Sequence, residues 1–186
     1  MVADQRFAGR RPDVLVYETE PLEEDLTIAG PITVSLSVST TGTDADWVVK
    51  VIDVYPDDYP PQPGETTGDR SRPVRSKMGG YEQLVRGEPF RGKFRKSFEK
   101  AEPFVPGQVA TVEFTMPDAF HTFRRGHRVM VQVQSSWFPL VNLNPQVFVN
   151  IHEAKESDFR KATQRVHQGQ DAPSRIVLPV LPEERP

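Results

Sequence analysis

The chain contains no cysteine. A disulfide framework, a thiolate zinc site and a cysteine nucleophile are therefore excluded. Long apolar runs are missing too: nowhere do the 186 residues approach the ~18–20 unbroken apolar positions of a membrane-spanning helix, so no membrane contact is expected. Residues 1–13 carry charge but no apolar stretch, and no secretory leader is expected there. There is no G-x-S-x-G pentapeptide, the strained turn that lifts a nucleophilic serine above a parallel sheet. Gly79-Gly80 lacks the following Lys-Ser/Thr of a phosphate-cradling loop. Nor is the chain basic, with 23 Lys and Arg against 26 Asp and Glu, so nucleic acid is not an expected partner.

Proline is abundant instead. Its 18 copies are about twice the usual ~5% share, and each removes a backbone donor, which disfavours long helices. A hydrophobic fraction of 37% is enough to fill one core. The expectation is one domain over residues 1–186, with 1–10 flexible and 56–80 a long loop holding Pro56, Pro60, Pro61, Pro63 and Pro73. Charge is uneven. Residues 1–69 hold 14 acids against 4 Lys/Arg, whereas residues 70–96 hold 9 Lys/Arg against 2 acids. The basic block is expected to lie beside the acidic third in the fold, and with the 56–80 loop it offers a contact for a neighbouring subunit.

Period-2 patterning dominates. Ile32, Val34, Leu36 and Val38 alternate with Thr33, Ser35, Ser37 and Ser39, which buries one face of a strand and leaves a Ser/Thr face for a neighbour. Residues 47–55 are apolar on both faces apart from Lys50 and Asp53, as in a central strand. Further strands are expected at 14–17, 81–86, 93–98, 109–116, 128–135, 147–150 and 176–180. Turns are expected at Gly30-Pro31, Pro106-Gly107, Met116-Pro117-Asp118 and Arg125-Gly126. One short helix near 157–167 is expected, N-capped by Ser157, with Phe159, Ala162 and Val166 on one face and Gly169 as its stop. The fold class is all-β, an antiparallel sandwich.

Candidate chemistry is sparse. His121, His127, His152 and His167 show no triad spacing and read as surface or structural residues. Asp44 and Asp46, with Asp53, Asp57 and Asp58, offer the oxygen ligands calcium prefers, but without the glycine and terminal glutamate of an EF-hand loop. Structural turn chemistry accounts for them as well. Neither a metal nor another cofactor is expected. Trp47, Tyr55, Tyr59, Tyr81, Trp137 and Phe138 are the residues for a sugar-stacking platform, so a carbohydrate- or calcium-stabilised binding module is the alternative function. Ser135-Ser136-Trp137-Phe138-Pro139 ends a strand with two bulky rings, which either cap the domain's own core or join a domain interface.

Several segments together carry a family resemblance: Arg11-Pro-Asp-Val-Leu15, Glu20-Pro-Leu22 with Gly30-Pro31, Thr43-Asp-Ala-Asp-Trp47 running into Lys50-Val-Ile-Asp-Val-Tyr-Pro56, Gly126-His-Arg128 leading to Gln134-Ser-Ser-Trp-Phe-Pro139, and Ser174-Arg-Ile-Val-Leu-Pro179. From about Arg11 to Pro182 the chain resembles the C-terminal domain of the X-Pro dipeptidyl-peptidase family of serine hydrolases, which includes cocaine esterase, α-amino acid ester hydrolases and glutaryl acylases. Residues 79–87 (Gly-Gly-Tyr-Glu-Gln-Leu-Val-Arg-Gly) most resemble the ester hydrolase and acylase branch. The resemblance implies a jelly roll of galactose-binding-like fold without catalytic residues of its own. It further implies that the partner is an α/β-hydrolase catalytic domain of the same parent protein, carrying the Ser-Asp-His triad, and allows a homo-oligomer. On that reading Leu36 and Ser37 lie nearest the substrate pocket, and Asp44, Asp46, Trp47, Trp137 and Phe138 are the other candidates for its edge or for the domain interface. Some relatives carry a bulky aromatic where this chain has Ser37. The compartment is left undetermined.

Overall fold

The structure is a computed structural model and describes residues 3–61, 63, 77–171 and 173–182. It opens with a one-turn helix, α1 (Arg6–Gly9), followed by strands β1 (Val14–Glu18), β2 (Leu26–Thr40), β3 (Asp46–Val54), β4 (Glu82–Arg91), β5 (Ala110–Phe123), β6 (Arg128–Gln134), β7 (Gln164–Val166) and β8 (Arg175–Val177). They form two antiparallel sheets. One has the order β1-β6-β3-β4; the other has β5-β2-β7, with β8 also pairing with β2.

The long strand β2 shows why the sheets stack. Its Ile32, Val34, Leu36 and Val38 are buried, while Thr33 and its cross-strand partner Thr115 lie on the outer face. On that face Ser35 Oγ donates to Glu113 Oε1 at 2.8 Å. Opposite the buried row, β3 contributes Trp47, Val49 and Val51, with Val129 and Val133 from β6. Each such side chain is worth about 1.5–3 kcal/mol when fully buried, and a one-residue slip of β2 would expose the whole row.

β3 is buried on both faces, as its sequence implies. Its outer face carries Val48, Lys50 and Ile52, which are covered by residues the sequence marks as flexible. Residues 3–9 are packed: Gln5 N donates to Glu82 O, Leu84 N donates to Ala3 O, and Gln5 and Ala8 are buried. Hydrogen bonding to the β4 edge holds this segment, a long-range contact with no local signature.

Several expected elements differ. The helix near 157–167 does not form. Residues 156–158 make one 3-10 turn, in which Asp158 Oδ2 accepts from Lys155 N, and Gln164–Val166 pair with Thr40–Val38 of β2 as a strand. A helix that short is marginal in isolation, and the ladder on β2 outweighs the local spacing of Phe159, Ala162 and Val166. Residues 93–98 are not a strand, because Gly92–Phe94 turn in a 3-10 helix that Arg95 closes with bonds to the Gly92 and Glu102 carbonyls. Residues 147–150 are irregular. Pro117 lies within β5 and not at a turn, tolerated because β5 is an edge strand that need not donate outward. Pro31 likewise sits inside β2, at the register shift between Gly30 and Ile32, where the ladder lapses. Most of the 56–80 loop falls outside the described residues.

Candidate functional site

Beyond Gln134 the chain leaves β6 and lays Trp137 across the outer face of the first sheet. Gly87 of β4 makes room for the ring, since a Cβ there would sit 2.5 Å from Trp137 Cη2. Beneath the indole lies Lys50, 1% exposed, its Nζ 4.8 Å from the ring centroid. The ammonium donates to Gln5 Oε1 at 2.8 Å and to Gln134 Oε1 at 3.3 Å. Burial lowers its pKa to about 8, and the Arg11 charge pushes the same way. Around this covered cation Phe7, Phe138 and Leu143 are 55, 65 and 47% exposed. Phe7, Phe138 and Leu143 rim a recess of about 440 Å³ floored by Lys50 and Trp137. Exposed apolar groups gathered this way mark an interaction surface more often than isolated ones do.

The remaining candidates lie apart from this collar. Leu36 points inward and lines a recess of about 410 Å³ with Tyr17, Val131 and Ile176, at the side of the sandwich where β1 and β6 face β8. Ser37 is on the opposite face of β2, where its backbone N–H donates to Ser174 Oγ at 3.0 Å. The two therefore do not share one pocket wall. Asp44, Asp46 and Trp47 are interior residues, each under 5% exposed. Asp44 lies 3.9 Å from Lys93, and Asp46 lies 3.7 Å from Arg91 while accepting from Asn144 Nδ2 at 2.8 Å. Here two residues of the basic block, Arg91 and Lys93, lie beside two carboxylates of the acidic third, while residues 70–76 of the block fall outside the described residues. Burial raises both carboxyls above their ordinary range despite these cations, Asp46 to about 6. Asp57 and Asp58 are exposed on a separate turn, and no group of three or more metal-ligating side chains occurs among the described residues. The six aromatics do not form one platform: Trp47 faces the core, Trp137 covers the outer face, and Tyr55, Tyr59 and Tyr81 cluster near His127.

Triad components are present but separated. Ser39 Oγ is hydrogen-bonded to His167 Nε2 at 3.0 Å, yet Ser39 is buried and no carboxylate among the described residues joins that imidazole. Asp53 bonds His121 Nε2 at 2.9 Å and His127 Nδ1 at 2.8 Å, with no serine beside it. Sequence reasoning missed this pairing of His121 with His127. The available signal was Asp53 itself, a carboxylate in an otherwise apolar central strand, which required buried partners.

The fold and these contacts define an all-β sandwich in which, among the described residues, the Ser–His and Asp–His contacts lie in different places. Over residues 3–177 the chain matches the family described as the X-Pro dipeptidyl-peptidase C-terminal non-catalytic domain, and it belongs to that family. It is 31% identical over 179 residues to the cocaine esterase of Rhodococcus sp. (strain MB1 Bresler), covering 96% of this chain and 27% of the esterase. Among solved structures, an aminopeptidase from a marine sediment archaeon (Thaumarchaeota archaeon) superimposes with a TM-score of 0.86 and 47% identity, covering 97% of this chain and 28% of that one. An α-amino acid ester hydrolase gives a TM-score of 0.85 and 51% identity, covering 97% and 27%. The chain thus spans little more than a quarter of the length of these relatives. No helix among the described residues is long and apolar enough to cross a membrane.

Proposed function

We infer that this chain is the C-terminal accessory domain of a serine ester or peptide hydrolase, and that the collar around Trp137 is where the α/β-hydrolase domain of the same parent rests. The observation that carries this is the gathering of Phe7, Phe138 and Leu143 round the recess over Lys50. Two further points favour the hydrolase domain as the occupant. Relatives continue for nearly three quarters of their length outside the matched region. Phe7 and Gln5, at the N-terminal end of the chain, also belong to the collar, so a preceding domain would join beside it. The description of the family as a C-terminal domain supports that order. Leu36 contributes a pocket edge through its recess between the sheets, and Asp44 and Asp46 act indirectly by anchoring the segment that follows the collar.

Two measurements test this. The 186-residue chain, assayed on nitrophenyl esters and Xaa-Pro anilides, is expected to show no turnover above buffer. In the full-length parent, Phe138→Ser with Leu143→Ser is expected to remove roughly 2–3 kcal/mol of interface burial and to lower its melting temperature by about 5 °C or more. The same pair in the isolated chain, where both side chains already meet water, is expected to shift melting by less than about 2 °C. An unchanged parent, or equal shifts in both proteins, overturns the docking assignment.

A further inference from the structure

The outer face of the second sheet lies on the far side of the sandwich from the collar, and it is open. Thr33, Glu113, Thr115 and Arg175 are exposed there, as are two apolar side chains, Phe120 at 79% and Val177 at 54%. An exposed ring on a sheet face is not accounted for by the domain's own core.

The outward residues form rows across β5, β2 and the chain at β8, because directly paired residues share a face. Ser35 pairs with Glu113 on one side and with Arg175 on the other. Thr33 is flanked in the same way by Thr115 and Val177. Ala29 pairs with Phe120, and on the β8 side its N–H donates to Pro179 O at 2.9 Å. Glu113 is held upright by Ser35 Oγ, which donates to it at 2.8 Å. Arg175 has no acidic partner among the described residues.

These rows complement themselves. The middle residue of each is small, so a second sheet can approach to the usual ~10 Å. A two-fold axis lying along β2, between two stacked sheets, exchanges the β5 and β8 sides of every row. It sets Arg175 of each copy over Glu113 of the other, Val177 over Thr115, and the Phe120 ring over Pro179. Both charged contacts are then between opposite signs, and each large apolar group meets a smaller one. Such charge matching selects the partner and the register more than it adds raw affinity.

We propose that this face is a two-fold interface between copies of this chain, sheet stacked on sheet, with Phe120 against Pro179 and an Arg175–Glu113 ion pair in each half. The collar is on the opposite face, so the inference does not rest on the docking assignment.

The test uses the 186-residue chain carrying Phe138→Ser and Leu143→Ser, which removes association through the collar. Sedimentation is expected to show a monomer–dimer equilibrium with a Kd of about 10–100 μM, as suits a small and partly polar interface. Phe120→Ser is expected to weaken the dimer about tenfold or more. Glu113→Arg alone and Arg175→Glu alone, each of which sets like charges together in both halves, are expected to do the same. The two combined restore opposite signs and are expected to bring the Kd back to within about threefold of its starting value. All three positions are exposed, so the melting temperature of the monomer is expected to move by less than about 2 °C. A chain that stays monomeric up to about 500 μM overturns the proposal. So does a dimer indifferent to Phe120→Ser, or a charge exchange that fails to restore association. In the full-length parent, Phe120→Ser that lowers the melting temperature at unchanged subunit number places the hydrolase domain on this face and overturns it too.

Discussion

Asp53→Ala is expected to destabilise the isolated domain by about 3–5 kcal/mol in urea-induced unfolding. Asp53 stands on β3 in one sheet, His121 on β5 in the other, and His127 in the turn that leads into β6, so a single carboxylate ties both layers together. It is 2% exposed. Each of the two bonds contributes about 0.5–1.5 kcal/mol net, and removing the acceptor leaves the buried His127 nitrogen without a partner at a further cost of about 1–3 kcal/mol. Phe123 packs edge-on against His121 at 4.8 Å, and Tyr55 lies tilted against His127 at 4.5 Å, so freeing the rings loosens their neighbours as well. Asp53→Asn keeps one acceptor oxygen and is expected to lose about half as much. A loss below about 1 kcal/mol for Asp53→Ala would show that the two sheets hold this end without the carboxylate.

The second large effect runs the other way. Asp46→Asn is expected to stabilise the domain at pH 8 by up to about 3 kcal/mol and to change little at pH 4. The Asp46 carboxyl is raised from 3.8 to about 6 in the folded chain, chiefly because burial disfavours its charge. An acid whose folded pKa lies above its unfolded one binds its proton more readily when folded. The domain therefore gains stability as pH falls from above 6 towards 4, and the cost of the buried charge is fully present at pH 8. Asparagine keeps the shape and an acceptor for Asn144 Nδ2 while removing the charge. Arg91, at 3.7 Å, loses its partner, but it is partly exposed and water takes over. Lys50 supplies a control within the same curve. Its pKa is lowered from 10.5 to about 8, so stability also rises as pH climbs through 8 towards 10, and that arm is expected to persist in Asp46→Asn. Chemical denaturation at pH 4, 6, 8 and 10 measures both. If Asp46→Asn proves less stable at pH 8, the contacts to Arg91 and Asn144 outweigh the desolvation of the charge.

Asp44, Asp46 and Asp53 owe their partners to the fold and not to their neighbours in sequence. Asp44 and Asp46 stood out as oxygen donors for calcium because they are close in sequence, yet the fold gives them Lys93, Arg91 and Asn144 from distant segments. Asp53 was visible as an oddity in an apolar strand, but its two histidines come from 68 and 74 positions away. The collar was half legible. Trp137 and Phe138 were suspect as rings at a strand end, whereas Phe7 joins them only through the packing of residues 3–9 on the β4 edge.

Strand identity belongs to the sequence. Alternation in residues 32–38 and unbroken burial in residues 47–54 follow from side chains pointing to opposite faces every second residue, a local property that no partner has to supply. The same local rule fails for residues 157–167, where helical spacing gives way to a ladder with Val38–Thr40. Tertiary structure alone decided that outcome, the union of Asp53 with His121 and His127, and the laying of Trp137 over Lys50. In each case the deciding energy is a hydrogen bond or a burial between residues far apart along the chain, and such contacts exist only once the two sheets have closed on each other.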